Sequence, residues 1–199
     1  MLPQVTFLLI FPALALAHFQ LQFPPPRGPF VASNEPNYCD GYVSTTDNRT
    51  NFPLDGGFYS LHSGHPSWTF GVQIANTQNP TSFDNFTTTV PFFPNTGAGN
   101  FCFPVNLKTS SGSNLVNGAN VTLQFVYDGG DGALYQCADV TLVSGLKIDS
   151  SVQCVNQTTP SSSSSSAPGP TQSSGAMDAM MSSLVAAMAG LAVMACMYM

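Results

Sequence analysis

Residues 68–76 read WTFGVQIAN, and their alternation decides the fold class. Trp68, Phe70, Val72 and Ile74 fall on one face of an extended chain and Thr69, Gly71 and Gln73 on the other, the period-two pattern of a half-buried antiparallel strand. Further along, 120–130 (NVTLQFVYDGG) repeats the pattern through Val121, Leu123, Phe125 and Tyr127. The run Asp128-Gly129-Gly130-Asp131-Gly132 supplies turn residues, and 134–143 (LYQCADVTLV) returns as the partner strand. Shorter strands are expected around Phe58–Leu61, Thr87–Phe93 and Phe101–Leu107. No long segment of helical period precedes residue 176. Residues 18–157 are therefore expected to form an all-β, immunoglobulin-like or fibronectin-like sandwich of two packed sheets.

Upstream, residues 1–17 carry the marks of a secretory signal peptide: an apolar run through Phe7-Leu8-Leu9-Ile10-Phe11 and a small-x-small ending, Ala15-Leu16-Ala17. Cleavage there makes His18 the first residue of the mature protein. Phe19, Leu21 and Phe23 then alternate up to Pro24-Pro25-Pro26, so the new terminus reads as a short strand that holds His18 in place.

Ten acidic side chains face only four basic ones, for a formal charge of −6. Nucleic acid is excluded as a partner, since neutralising phosphates needs clustered Lys and Arg. Asn-x-Ser/Thr sequons at Asn48, Asn85, Asn120 and Asn156 suit a secreted glycoprotein. Four of the five cysteines, Cys39, Cys102, Cys137 and Cys154, lie in the domain, and no C-x-x-C pair argues for zinc. In an oxidising compartment they read as two disulfides with three possible connectivities. The favoured pairing is Cys102–Cys137 with Cys39–Cys154, the latter tying the start of the domain to its end.

From Thr158 the composition changes to a Ser/Thr/Pro tract, so residues 158–174 are expected to be a disordered, O-glycosylated stalk. The chain closes on LVAAMAGLAVMACMYM, short for a stable span. Small residues at Ser173-Ser174-Gly175-Ala176, a spacer and this apolar run match a GPI-attachment signal over 175–199, with Ser174 or its neighbour Ser173 as the lipid anchor site. Cys196 departs with that tail. The expected location is the outer face of the plasma membrane or the cell wall.

Of the three histidines, His62 and His65 lie in SLHSGHPSWTF, just before the strand that opens at Trp68. A free α-amine, the imidazole of the same residue and a second imidazole can hold one metal in a T of three nitrogens, a histidine brace. Such a set suits Cu(II). His65 is the better second ligand because Pro66 stiffens the approach to Trp68, with His62 in reserve. A carboxylate can join: Asp131 sits in the turn between two strands, where turn chemistry is the alternative reading for it as for Asp128, and Asp139 lies within a strand and could equally be a surface residue. Trp68 and the phenylalanines are assigned to the core, with an exposed aromatic serving as a sugar platform as the alternative. No nucleophile-elbow or paired-carboxylate pattern supports hydrolysis.

The segments HFxLxFPPPRG from His18, NRTNFPLDGGFYSLHSGHPSWTFGVQIANTQNPTSF from Asn48 and YDGGDGALYQCADVTL from Tyr127, ahead of a Ser-rich tail, resemble the fungal copper proteins related to lytic polysaccharide monooxygenases, a group that includes a copper acquisition factor. The resemblance covers residues 18–154. It implies an immunoglobulin-like sandwich binding one copper ion through the amine and imidazole of His18, the imidazole of His65 and the carboxylate of Asp131. The family's first cysteine usually stands as Cys-Gly-Gly, whereas this chain has Cys39-Asp40-Gly41, a departure that bears on the turn at Cys39. Three functions follow as alternatives: a surface protein that binds copper and passes it to a transporter, a copper-dependent enzyme oxidising polysaccharide, and a cell-wall structural glycoprotein in contact with glycan. Binding and delivery are expected over oxidative cleavage, with no catalytic residues.

Overall fold

The computed structural model describes residues 18–110 and 114–158. The signal segment 1–17, the stalk beyond Thr158 and the tail 175–199 with Ser174 lie outside the described residues. The strands are β1 (Phe19–Phe23), β2 (Thr50–Pro53), β3 (Gly57–Ser63), β4 (Ser67–Ala75), β5 (Thr87–Thr96), β6 (Gly99–Val105), β7 (Asn120–Asp128), β8 (Ala133–Val143) and β9 (Gln157–Thr158). They form a four-stranded sheet, β1-β3-β6-β9, and a five-stranded sheet, β2-β8-β7-β4-β5. Neighbours are antiparallel except β2, which runs parallel to β8. The expected sandwich is the observed architecture.

Alternation explains the packing. Trp68, Phe70, Val72 and Ile74 of β4, Val121, Leu123, Phe125 and Tyr127 of β7, and Ala138, Val140 and Leu142 of β8 are all buried in one core with Phe19, Leu21, Leu61 and Phe101 of the other sheet. Burying such side chains supplies most of the driving force, about 1.5–3 kcal/mol each. Aromatic rings hold β1 against this core: Phe19 stacks on Tyr127 at 5.1 Å between centroids, and Trp68 stacks on the same tyrosine at 5.2 Å. The residue immediately before Phe19 is His18, so the ring cluster also sets where the site begins.

The outer face of the five-stranded sheet differs from the expectation at Asp139. This residue is 3% exposed, and its carboxylate accepts two hydrogen bonds from Arg27, Nε at 2.9 Å and a terminal nitrogen at 2.9 Å, with others from Thr122 Oγ1 and the Thr46 N–H. The chain between β1 and β2 crosses this face and covers it. Because Ala138, Val140 and Leu142 point inward, their neighbours Cys137 and Asp139 point outward under that cover.

The disulfides are Cys39–Cys137 and Cys102–Cys154, which corrects the favoured pairing. Phe101 and Phe103 pack toward the core from β6, leaving Cys102 on the outside of the four-stranded sheet. Cys137 lies on the outside of the five-stranded sheet, so the whole thickness of the sandwich separates the two. Each bonds to a segment that covers its own face: the tight turn Tyr38–Gly41 over β8, and the approach to β9 beside β6.

Candidate metal centre

His18 precedes β1, at the end of the sandwich where β3 turns into β4 and β7 into β8. Phe19 pairs with Ser63, and the next residue beyond the strand, Gly64, donates its N–H to the His18 carbonyl at 2.9 Å. A methyl group on Gly64 would stand 3.2 Å from that carbonyl oxygen and 4.0 Å from the His18 nitrogen. Glycine thus lets the loop carrying His65 close onto the backbone of His18.

β1 is an edge strand, and side chains complete its free edge. Gln136 accepts from the Leu21 N–H at 2.9 Å and donates to the Phe19 carbonyl at 2.7 Å. The same amide donates to Glu35 Oε1 at 3.1 Å, and that oxygen also receives the Phe19 N–H at 3.3 Å. The other oxygen of Glu35 meets His18 Nδ1 at 2.5 Å. Glu35 is fully buried, and burial holds its carboxyl above the usual range against the opposing pull of His18. The His18 ring keeps 30% exposure, and its Nε2 has no partner among the described residues.

His65 is oriented from the other side. Its Nδ1 donates to the Ser67 carbonyl at 2.7 Å, which fixes the tautomer and leaves the Nε2 lone pair free. The Ser63 hydroxyl bonds the His65 carbonyl at 3.2 Å and the Tyr127 hydroxyl at 2.8 Å. Burial pushes the Tyr127 phenol up to about 12, with smaller contributions from Asp131 and Glu35, so it stays a neutral hydrogen-bonding group.

The β7–β8 turn contributes residues to the clefts that His18 and His65 line. Asp128 Oδ1 accepts from the Gly130 N–H at 2.7 Å, the turn role expected of it. Asp131 is exposed, with no hydrogen bond or ion pair among the described residues, and shares a cleft of about 250 Å³ with His18. His65 lines the neighbouring cleft with Asp128, Gly129 and Gly130. His62 joins neither cleft; its Nδ1 is engaged by Asn100 Oδ1 at 2.9 Å. Among the described residues no three His, Cys, Asp or Glu side chains cluster tightly enough to hold a metal by themselves. His18, His65 and Asp131, named together from the sequence, are thus not drawn into one such cluster: His18 and Asp131 share one cleft and His65 lines the next. The four sequon asparagines, Asn48, Asn85, Asn120 and Asn156, are all exposed.

Sequence reasoning missed Glu35, Gln136 and Ser63. One signal was present: Glu35 is the single glutamate in 199 residues.

The domain as a whole has relatives among known proteins. The chain is 43% identical to the copper acquisition factor BIM1 of Cryptococcus neoformans over 71% of its own length and 67% of that protein. It is 31% identical to the lytic polysaccharide monooxygenase-like protein ham-7 of Neurospora crassa over 66% of each. Among solved structures, an AA10 LPMO from Photorhabdus luminescens aligns at 13% identity and TM-score 0.43, covering 66% of this chain and 82% of that one. Residues 16–159 match the family described as copper acquisition factor BIM1-like, and the chain belongs to that family, whose function turns on copper.

Proposed function

We propose that the mature protein begins at His18, stands on the cell surface on a GPI-anchored stalk joined at Ser174, and collects one copper ion for uptake. The ligands are the α-amine and Nδ1 of His18, Nε2 of His65 and the carboxylate of Asp131. The observation that carries this reading is the meeting of the His18 backbone nitrogen with the His65 loop over Gly64, with the His65 tautomer already set by Ser67. An amine and an imidazole of one residue close a chelate through Nδ1. Copper therefore takes the place that Glu35 holds at that atom, and the carboxylate competes for it. Competition of this kind suits cargo that must be given up again. Asp131, as an added anionic ligand, favours Cu(II) over Cu(I), which suits capture outside the cell better than reductive oxygen chemistry.

The test uses secreted protein with His18 verified as its first residue. Cu(II) should bind with a nitrogen-rich paramagnetic resonance spectrum at one ion per chain. Adding an alanine before His18, or His65→Ala, should each weaken binding by about tenfold or more. Asp131→Ala should alter the spectrum and weaken retention. Unchanged affinity in the extended protein refutes the brace. Release of oxidised oligosaccharides from chitin, glucan or cellulose with a reductant would establish the enzyme instead.

A further inference from the structure

The part of the five-stranded sheet's outer face not covered by the β1–β2 segment forms a groove of about 400 Å³. Three aromatic rings border it. Phe92 lies flat on Gly71, three of its ring carbons 2.8–2.9 Å from where a Cβ would stand, so its far face is turned to solvent at 50% exposure. Phe83 is 44% exposed and packs on Tyr135 at 4.6 Å between centroids. Gln73, Asp84 and Asp128 line the same groove. Exposed ring faces with carboxylate and amide acceptors beside them suit a neutral sugar, whose C–H faces stack on rings while its hydroxyls donate. Acidic walls disfavour an anionic ligand.

The sequence supplies an attachment point for such a sugar next to the lining residues Phe83 and Asp84. Phe83-Asp84-Asn85-Phe86-Thr87 contains a sequon two residues beyond Phe83, a separation of at most about 7 Å along the chain. Asn85 Oδ1 accepts from the N–H groups of Thr81 and Ser82, at 3.0 and 3.1 Å, and caps the tight turn Phe83–Asn85. Only the oxygen of the amide can accept those donors, so Nδ2 is the atom left facing out, and it has no partner among the described residues. Attaching a sugar there leaves the cap intact.

We propose that the first N-acetylglucosamine residues of an N-linked glycan on Asn85 lie in this groove, stacked on Phe83 and Phe92. The glycan then does for this half of the outer face what the β1–β2 segment does for the other half. The inference rests on the secretory route proposed above but not on copper.

The experiment takes secreted protein from a fungal host, with N-terminal sequencing and site occupancy measured on one sample, so that failed secretion and failed glycan docking are told apart. An endoglycosidase that leaves one N-acetylglucosamine should hardly change Tm. Complete removal by peptide N-glycosidase converts Asn85 to Asp, which keeps the acceptor, and should lower Tm by about 3 °C. In Phe83→Ala that second step should produce less of a drop. Independently of whether the variant folds, ring protons of the first sugar in the wild-type protein should show upfield shifts from the phenylalanine ring current. An unmodified Asn85, equal drops in both proteins, or unshifted sugar protons would each overturn the proposal.

Discussion

The two faces of the five-stranded sheet are both buried over much of their area, yet they are held by different physics. The inner face is carbon: Leu123, Phe125 and Val140 are 0–1% exposed and surrounded by rings from the other sheet. The outer face under the β1–β2 segment is polar. Thr122, Gln124 and Asp139 are equally buried there, and Arg27, Arg49 and the Cys39–Cys137 bond hold the cover down. An inner residue contributes in proportion to the area and volume it fills. An outer residue contributes by keeping its neighbours' hydrogen bonds and charges satisfied, so losing a few atoms there strands several partners together.

That difference predicts the largest effect at Asp139. Asp139→Ala leaves a guanidinium only 2% exposed without its counter-ion and removes the acceptor of Thr122 and Thr46, which should cost about 4–5 kcal/mol in urea unfolding. Replacing both charges, as Arg27→Met with Asp139→Leu, should recover part of that loss, since the penalty comes from the orphaned partner. A double variant no more stable than Asp139→Ala would contradict the proposed contrast. On the inner face Leu123→Ala should cost about 3 kcal/mol by transfer and cavity alone, with no partner change that restores it short of refilling the volume.

Period-two alternation makes the inner face legible from residue order alone, and Trp68, Val121 and their neighbours lie where that pattern puts them. The same pattern contains the disulfide answer. Cys102 falls between two inward phenylalanines and Cys137 next to inward Ala138, so both point outward from different sheets, but only knowing which strands share a sheet makes those outward faces opposite ones. The outer face is not legible in this way, because Arg27 and Asp139 are 112 residues apart and nothing local marks either as buried. The same holds at the candidate metal centre: His18 and His65 are proposed from residue type and position and Asp131 from the resemblance, whereas Glu35 acts through a contact across 17 residues of irregular chain that no pattern marks.

The smallest effect lies in the cover itself, at Asp40, a position where the resemblance read from the sequence implies glycine. Cys39 and Asp40 have φ of 49° and 55°, in the left-handed region, and Gly41 follows at 81°. A glycine at 40 would sit there without strain; aspartate is accommodated with Oδ2 on the Val31 N–H at 3.1 Å and Oδ1 buried with no partner among the described residues. Burial therefore raises the carboxyl above its ordinary range, the Val31 hydrogen bond opposing. A raised carboxyl binds its proton more tightly in the folded chain than in the unfolded one. Its favourable share is complete below the unfolded value, and is lost as pH rises through the folded one. Asp40→Asn keeps the left-handed backbone and the acceptor for Val31 but never ionises. Relative to the wild type it should be of equal stability near pH 3 and more stable at pH 7, by on the order of 1 kcal/mol. Unfolding curves at the two pH values decide it: a gain of the same size at both would mean that strain rather than charge is what Asp40 costs, and Asp40→Gly would then be the variant that improves the cover.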